Sequence, residues 1–170
     1  MAKTLADKYA NKAFGVVTMS AANALTFAQI QFGVGLFEGR ALIIHRIQWF
    51  PAAATVREIV AATDALHMAL TTSNRLADIE DVTDPSIITK RSIVGKAASI
   101  ADVDLPIVQD FSMLPGGGWL CPANPLFLGA DTGGFAAAAV VRAQLDFSFV
   151  ELSAQDYLEV IQALFPANIA

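Results

Sequence analysis

One long alternating stretch constrains the fold more than any other part of the chain. Residues 138–152 read AAVVRAQLDFSFVEL, and apolar side chains recur at every second position. The apolar set is Val141, Ala143, Leu145, Phe147 and Phe149, and the set between them is Val140, Arg142, Gln144, Asp146 and Ser148. Because successive side chains of a strand point to opposite faces, the stretch predicts a long strand with one buried face. Parallel strands are usually buried on both faces and have continuous apolar runs, whereas this stretch alternates. It therefore predicts an antiparallel sheet with one solvent-exposed face, the wet face.

Shorter strand patterns recur along the rest of the 170 residues. The predicted strands are 14–19, 25–37, 41–50, 65–72, 89–94, 102–111, 126–132 and 138–152. Residues 55–62 predict a helical turn, and Ser153 is the predicted N-cap of a short C-terminal helix that stops at Pro166. About eight closely spaced strands with one helix predict an all-β fold, an antiparallel β-sandwich or jelly roll.

Neither a linker nor an internal repeat divides the sequence, and its length suits a single domain. We expect residues 1–13 to form an N-terminal arm and residues 14–165 to form one jelly-roll domain. Residues 166–170 are then a C-terminal tail.

Composition favours burial between subunits. Hydrophobic residues make up 55% and charged residues 16% of the chain, against about 25% charged in an ordinary soluble domain. A membrane span needs about 20 consecutive apolar residues, and the longest candidate, 41–54, is interrupted by His45, Arg46 and Pro51. The first twelve residues are too charged for a secretory signal. The net charge of −5 argues against a protein that mainly grips nucleic acid.

The sequence contains no catalytic or metal-binding signature. His45 and His67 are the only histidines, whereas a catalytic metal site usually has three protein ligands. Two hydrogen-bonded structural histidines are therefore favoured over a cupin-like metal site. The acidic run Asp78, Glu80, Asp81 and Asp84 lacks the regular calcium-loop pattern, so a solvated surface loop is favoured. We predict no catalytic residue, no cofactor and no enzymatic activity.

The segment Pro115–Gly118, which contains the glycine run 116–118, resembles a phosphate loop only in composition. Trp119 follows it where the phosphate-binding pattern requires Lys and then Ser or Thr, so a structural turn is favoured. Cys121 is the only cysteine, which excludes an intrachain disulfide, and its apolar setting predicts a small buried side chain.

Three large aromatic residues are the candidate subunit-interface residues: Trp49, Phe50 and Trp119. Each lies near a predicted strand end beside a proline, Pro51 or Pro122. Aromatic side chains are enriched at the centres of protein interfaces, but they also fill cores. Both alternatives remain open for each of the three.

Three segments in this layout carry a resemblance to a known family: IIHRIQWFP, DFSMLPGGGWLCPANPLFLGADT and AQLDFSFVELSAQDYLEVI. Over residues 14–164 the chain resembles the single jelly-roll capsid (coat) proteins of small icosahedral viruses and phages. The resemblance implies a structural protein of the virion that self-assembles into an icosahedral shell in the host cytoplasm. Its partners would be copies of itself and other capsid proteins, with arms that tie neighbours together.

One departure from that family concerns nucleic acid. Coat proteins that neutralise packaged RNA often have an arginine-rich arm, whereas this N-terminus offers only Lys3, Lys8 and Lys12. Direct nucleic-acid binding is therefore expected to be weak or absent. The alternative function is a β-sandwich ligand- or carbohydrate-binding module that forms a small homo-oligomer, with Trp119 as its aromatic platform.

Overall fold

The computed structural model describes residues 11–30, 32, 40–80, 83–96, 105–121, 125–156 and 158–159. The elements are β1 (Asn11–Thr18), β2 (Thr26–Gln29), β3 (Arg40–Pro51), α1 (Ala53–Arg57), β4 (Ala65–Thr71), β5 (Ile87–Val94), β6 (Ile107–Asp110), β7 (Trp119–Cys121), β8 (Phe127–Gly133) and β9 (Val140–Glu151). A further helical segment begins at residue 154.

The strands form two antiparallel sheets. The first sheet has the order β1-β9-β3-β6, and β7 also pairs with β3. The second sheet has the order β2-β8-β4-β5. Buried side chains of both sheets belong to one hydrophobic core, which includes Ile44 and Leu145 from the first and Leu66 and Leu128 from the second. The predicted all-β antiparallel sandwich is therefore confirmed.

The long predicted strand is confirmed as β9, which lies between β1 and β3 in the first sheet. Its predicted inner residues Val141, Ala143, Leu145 and Phe147 are all buried, and Phe149 packs against the core. Two residues of the predicted wet face, Asp146 and Ser148, are also nearly buried. Polar side chains of neighbouring strands surround them.

The alternation of β3 changes face at His45. Pairing with β9 shifts register between Ile44 and Arg46, so His45 is an extra residue in a β-bulge. Ile44 is buried before the bulge, and Ile47 and Trp49 are buried after it. Strict alternation along residues 41–50 predicts that His45 shares a face with Ile47 and Trp49, because a period of two takes no account of an inserted residue.

Several element boundaries differ from the sequence prediction. Strand β1 begins at Asn11, so residues 11–13 of the expected arm belong to the first sheet. The predicted strand 25–37 is β2 over Thr26–Gln29, and most of its second half lies outside the described residues. Strand β7 was not predicted, because three residues within a Gly- and Pro-rich segment carry no periodicity.

The predicted start of the C-terminal helix is confirmed. The backbone N–H of Asp156 donates to Ser153 Oγ at 3.2 Å, which is an N-cap hydrogen bond. The predicted helix end, the tail 166–170 and residues 1–10 lie outside the described residues.

Candidate subunit interface

Four charged residues form a row across the outer face of the first sheet, the face that points away from the core. Cross-strand pairing places Lys12 of β1 opposite Asp146 of β9, Asp146 opposite Arg46 of β3, and Arg46 opposite Asp110 of β6. Side chains of directly opposed residues are about 5 Å apart on one face of a sheet. These four residues, here called the charge row, therefore alternate in sign from one edge of the sheet to the other.

Asp146 is the best-paired member of the charge row. Nε of Arg46 donates to Asp146 Oδ2 at 2.8 Å, and Nη2 of Arg46 donates to the same oxygen. Nε2 of Gln144 donates to Asp146 Oδ1 at 3.0 Å. Burial raises the pKa of Asp146, but the hydrogen bonds from Arg46 and Gln144 and the charges of Arg46 and Lys12 outweigh it. The pKa therefore lies below its ordinary value, and the carboxylate is ionised at neutral pH.

Asp110 is exposed and also ionised. Hydrogen bonds from the hydroxyl and the backbone N–H of Ser112 lower the pKa of Asp110, and the charge of Arg46 adds to this effect. The Ser112 N–H donates to Asp110 Oδ1 at 2.8 Å. Both carboxylates of the charge row are thus negative at pH 7.

Two further rows lie beside the charge row, two and four residues along the strands. The glutamine row is Phe14, Gln144, Gln48 and Val108, and the arginine row is Val16, Arg142 and Phe50. The exposed fraction is 62% for Phe14, 50% for Val16 and 46% for Val108. Phe14 and Val16 are same-face neighbours on the edge strand β1, whereas Val108 lies at the opposite edge on β6. Neighbouring exposed apolar side chains with polar groups around them are typical of protein interaction surfaces.

The three sequence-predicted interface residues do not form one patch. Phe50 belongs to the arginine row and is half-buried. Trp49 lies in the core, with Nε1 donating to Gln109 Oε1 at 2.9 Å, so the core alternative describes it. Trp119 pairs with Ile44, about 20 Å along β3 from Phe50, and packs against the core. Intersubunit roles for Phe50 and Trp119 stay predictions.

His45 is a structural histidine, as predicted. Its Nδ1 lies 2.7 Å from the carbonyl oxygen of Gly117 and must be the donor, because a carbonyl only accepts. Its Nε2 lies 2.8 Å from Ser148 Oγ. Both ring nitrogens are occupied, which holds the glycine run against β3.

The glycine run is a tight turn, as predicted. Gly116 and Gly117 have positive φ angles of 86° and 77°. A Cβ on Gly118 would lie 2.5 Å from Ile43 Cγ2 and 2.7 Å from the carbonyl oxygen of Ile44. Only glycine allows this close approach to β3.

Part of the outer face of the second sheet is covered by Ile79 and Glu80, which lie between β4 and β5 in the chain. Ile79 is fully buried, and its Cγ2 lies near the backbone of Gly129 on β8. The Glu80 carboxylate lies 3.1 Å from His67 Nε2, and Lys90 Nζ donates to the Glu80 carbonyl oxygen. Asp78 and Glu80 are solvent-exposed, as a surface loop predicts, but the segment is anchored by Ile79. Among the described residues, no three potential ligands are grouped to hold a metal ion.

No protein-family model matches the chain, and no curated protein matches it either. Within the described ranges, none of the helical segments has both the length and the apolar character needed to cross a membrane. The function of the chain therefore has to be inferred from its own surfaces.

Proposed function

We propose that this protein is a structural subunit of a virus capsid. Copies of the chain assemble into the shell through the outer face of the first sheet. The observation that carries the proposal is the exposure of Phe14, Val16 and Val108 on regular strands. The wet face of an antiparallel sheet normally carries polar side chains. Large apolar side chains there are expected when the face is buried against a partner.

The strand order supports a jelly-roll form of the sandwich. Without β7, each sheet has four strands, and the chain passes repeatedly from one sheet to the other. Strand β1 pairs with β9, and β2 pairs with β8, so the start and the end of the chain lie side by side in both sheets. Eight-stranded double-sheet jelly rolls are the fold of viral capsid domains and of lectin domains. This form is compatible with both the capsid function and the carbohydrate-binding alternative.

Trp119 is the one observation that favours the carbohydrate-binding alternative. Its indole Nε1 has no hydrogen-bond partner among the described residues, so a sugar hydroxyl would satisfy it. The same atom is shielded from solvent, however, so a ligand would reach it only after the surrounding side chains moved. Self-assembly requires no such rearrangement and is the better-supported function.

The test is the mass of the purified full chain by light scattering, followed by negative-stain microscopy of the same sample. We expect closed particles or large symmetric assemblies. Phe14→Gln should abolish them, because it removes an exposed apolar side chain from the outer face of the first sheet. The matched control is Val94→Gln on β5 of the second sheet, where the valine is 56% exposed.

Two results would contradict the proposal. One is a wild-type chain that remains monomeric up to its solubility limit. The other is an equal loss of assembly in Phe14→Gln and Val94→Gln, which would show that the outer face of the first sheet is not the specific contact. A monomer that binds on a glycan array would instead place the carbohydrate-binding alternative first.

A further inference from the structure

We propose that two copies of this chain meet face to face on the outer face of the first sheet, about a two-fold axis parallel to the strands and lying between β9 and β3. The inference rests on the proposed function, because it specifies the partner and its orientation at that same face. Three rows of side chains support this arrangement. The two-fold rotation places each row against the same row of the second copy, and the side chains that then face each other are complementary.

The charge row decides the direction of the axis. From β1 to β6 it reads Lys12, Asp146, Arg46, Asp110, so its signs are plus, minus, plus, minus. An axis parallel to the strands reverses the strand order of the facing copy. Lys12 then faces Asp110 of the second copy, and the Asp146–Arg46 ion pair faces the same pair of the second copy in reversed order. An axis along the row would place every charge opposite its own kind, which is unfavourable.

The glutamine row is compatible with the same axis. It reads Phe14, Gln144, Gln48, Val108, which is apolar at both edges and an amide at both centres. Reversal places Phe14 against Val108 of the second copy, so two exposed apolar side chains cover each other. Gln144 faces Gln48 of the second copy, and each amide offers both a donor and an acceptor.

The arginine row adds a directional contact. Arg142 of β9 and Phe50 of β3 are directly opposed neighbours near the axis. Reversal places the exposed Arg142 guanidinium over the half-buried Phe50 ring of the second copy. A guanidinium over an aromatic face is a favourable cation–π arrangement.

The size of the face predicts a weak pair. Strands about 4.8 Å apart and same-face residues about 6.8 Å apart give a face of about 20 Å by 20 Å, or about 400 Å² per copy. The total of about 800 Å² lies below the roughly 1,200–2,000 Å² of stable complexes. We therefore expect this contact to be populated at high protein concentration, or within an assembly that has other contacts.

Charge reversal at the two edges tests the axis. Lys12 and Asp110 lie three strand spacings apart in one copy, about 14 Å, so they do not pair within a chain. Lys12→Glu or Asp110→Lys alone places like charges opposite each other at two symmetric contacts. We expect each single variant of the full chain to weaken self-association about tenfold in sedimentation equilibrium. The double variant Lys12→Glu/Asp110→Lys should return to within about threefold of the wild type, since the pairing is restored with opposite polarity.

The rescue cannot come from effects within one chain. Lys12→Glu places a second carboxylate beside Asp146, and Asp110→Lys places a second cation beside Arg46. Urea unfolding should therefore show the double variant to be the least stable monomer, although it associates better than either single variant. A double variant that associates as poorly as the single variants would overturn the axis.

Cross-linking gives a second test that does not depend on charge. Phe14→Cys and Val108→Cys are prepared as separate full-chain proteins and treated with a short bis-maleimide, because sheets that pack face to face are about 10 Å apart. We expect dimers in the equimolar mixture and few in either protein alone. Wild type is the control for Cys121, which is buried. If Phe14→Cys alone forms as much cross-linked dimer as the mixture does, the axis runs across the strands and the proposal is refuted.

Failure of this inference can be told apart from failure of the proposed function. If the wild type forms particles but the double variant is not rescued and cross-linking is not selective, self-assembly is supported and this axis is refuted. A wild type that neither associates nor forms particles would remove both.

Discussion

The hydrogen bond between Trp49 and Gln109 stabilises one edge of the sandwich, and we expect Gln109→Met to lower the free energy of unfolding by about 2 kcal/mol. Gln109 lies on β6, the edge strand of the first sheet. Its Oε1 accepts from Trp49 Nε1 at 2.9 Å, and its Nε2 donates to Thr89 Oγ1 on β5 at 2.8 Å. Strand β5 is the corresponding edge of the second sheet, so one amide joins both sheets.

The magnitude follows from the burial of Trp49. Its side chain has no exposed surface, so no solvent can replace the lost acceptor. A buried donor left without a partner costs about 1–3 kcal/mol. Met has nearly the length of Gln, so little cavity forms. The Thr89 hydroxyl is only partly buried and can turn to another acceptor, which adds little to the cost.

The assay is urea unfolding at pH 7 in a double-mutant cycle with Trp49→Phe, at one protein concentration so that self-association does not shift the result. Without the indole N–H, Gln109→Met should cost about 1 kcal/mol less than in the wild-type background. Gln48→Met on the outer face is the control and should change stability by less than about 0.5 kcal/mol. A Gln109→Met cost that is equal in both backgrounds, within about 0.5 kcal/mol, would refute the reasoning.

Two further predictions concern Ile79 and Asp146. Ile79→Ala should cost about 2–5 kcal/mol, because it empties a fully buried site, and should speed proteolysis within residues 72–86; unchanged cleavage would show that Ile79 does not anchor the segment. For Asp146, the folded pKa lies below the unfolded value of about 3.9, so its stabilising effect is complete above that value and is lost as pH falls through the folded pKa. The stability advantage of wild type over Asp146→Asn should therefore shrink as pH falls below about 4 in urea unfolding, and a constant advantage would contradict the pairing with Arg46.

The fold could be predicted where a strand has one clearly apolar face. Strand β9 meets this condition over its whole length, and its inner residues are those that alternation selects. Strand β3 does not, because both of its faces are largely apolar and the bulge at His45 exchanges them. The two alternatives for Trp49 have a different cause, because aromatic side chains fill cores as well as interfaces and residue type alone does not separate the two. Gln109 carries no signal in the sequence, since a single amide in a short strand has no pattern around it.

The candidate interface could not be predicted from the sequence, because it depends on register between strands far apart in the chain. Lys12, Arg46, Asp110 and Asp146 are unremarkable as separate charges in a low-charge sequence. They become a row of alternating sign only through three cross-strand pairings. Phe50 was singled out as an aromatic residue near a strand end, whereas Phe14 and Val108 were not.

The two outer faces of the sandwich differ in a way that favours a partner on one of them. The second sheet has Gly129 on its outer face, where the side chains of Phe27 and Ile79 lie against it. The first sheet exposes three large apolar side chains, Phe14, Val16 and Val108, with Phe14 62% exposed, whereas the described strands of the second sheet expose one, Val94. Full burial of a Phe side chain contributes about 1.5–3 kcal/mol, so a face of this kind has a substantial driving force for association.

Apolar burial alone would permit association in many orientations, and a shell requires one. On this face the exposed apolar residues Phe14 and Val108 lie at opposite edges, in a row directly beside the charge row. Displacement or rotation of the second copy would separate the apolar pair and bring like charges together at the same time. In the pair that we propose, the apolar side chains would supply the attraction, and the alternating charges would select the single orientation in which that attraction is realised.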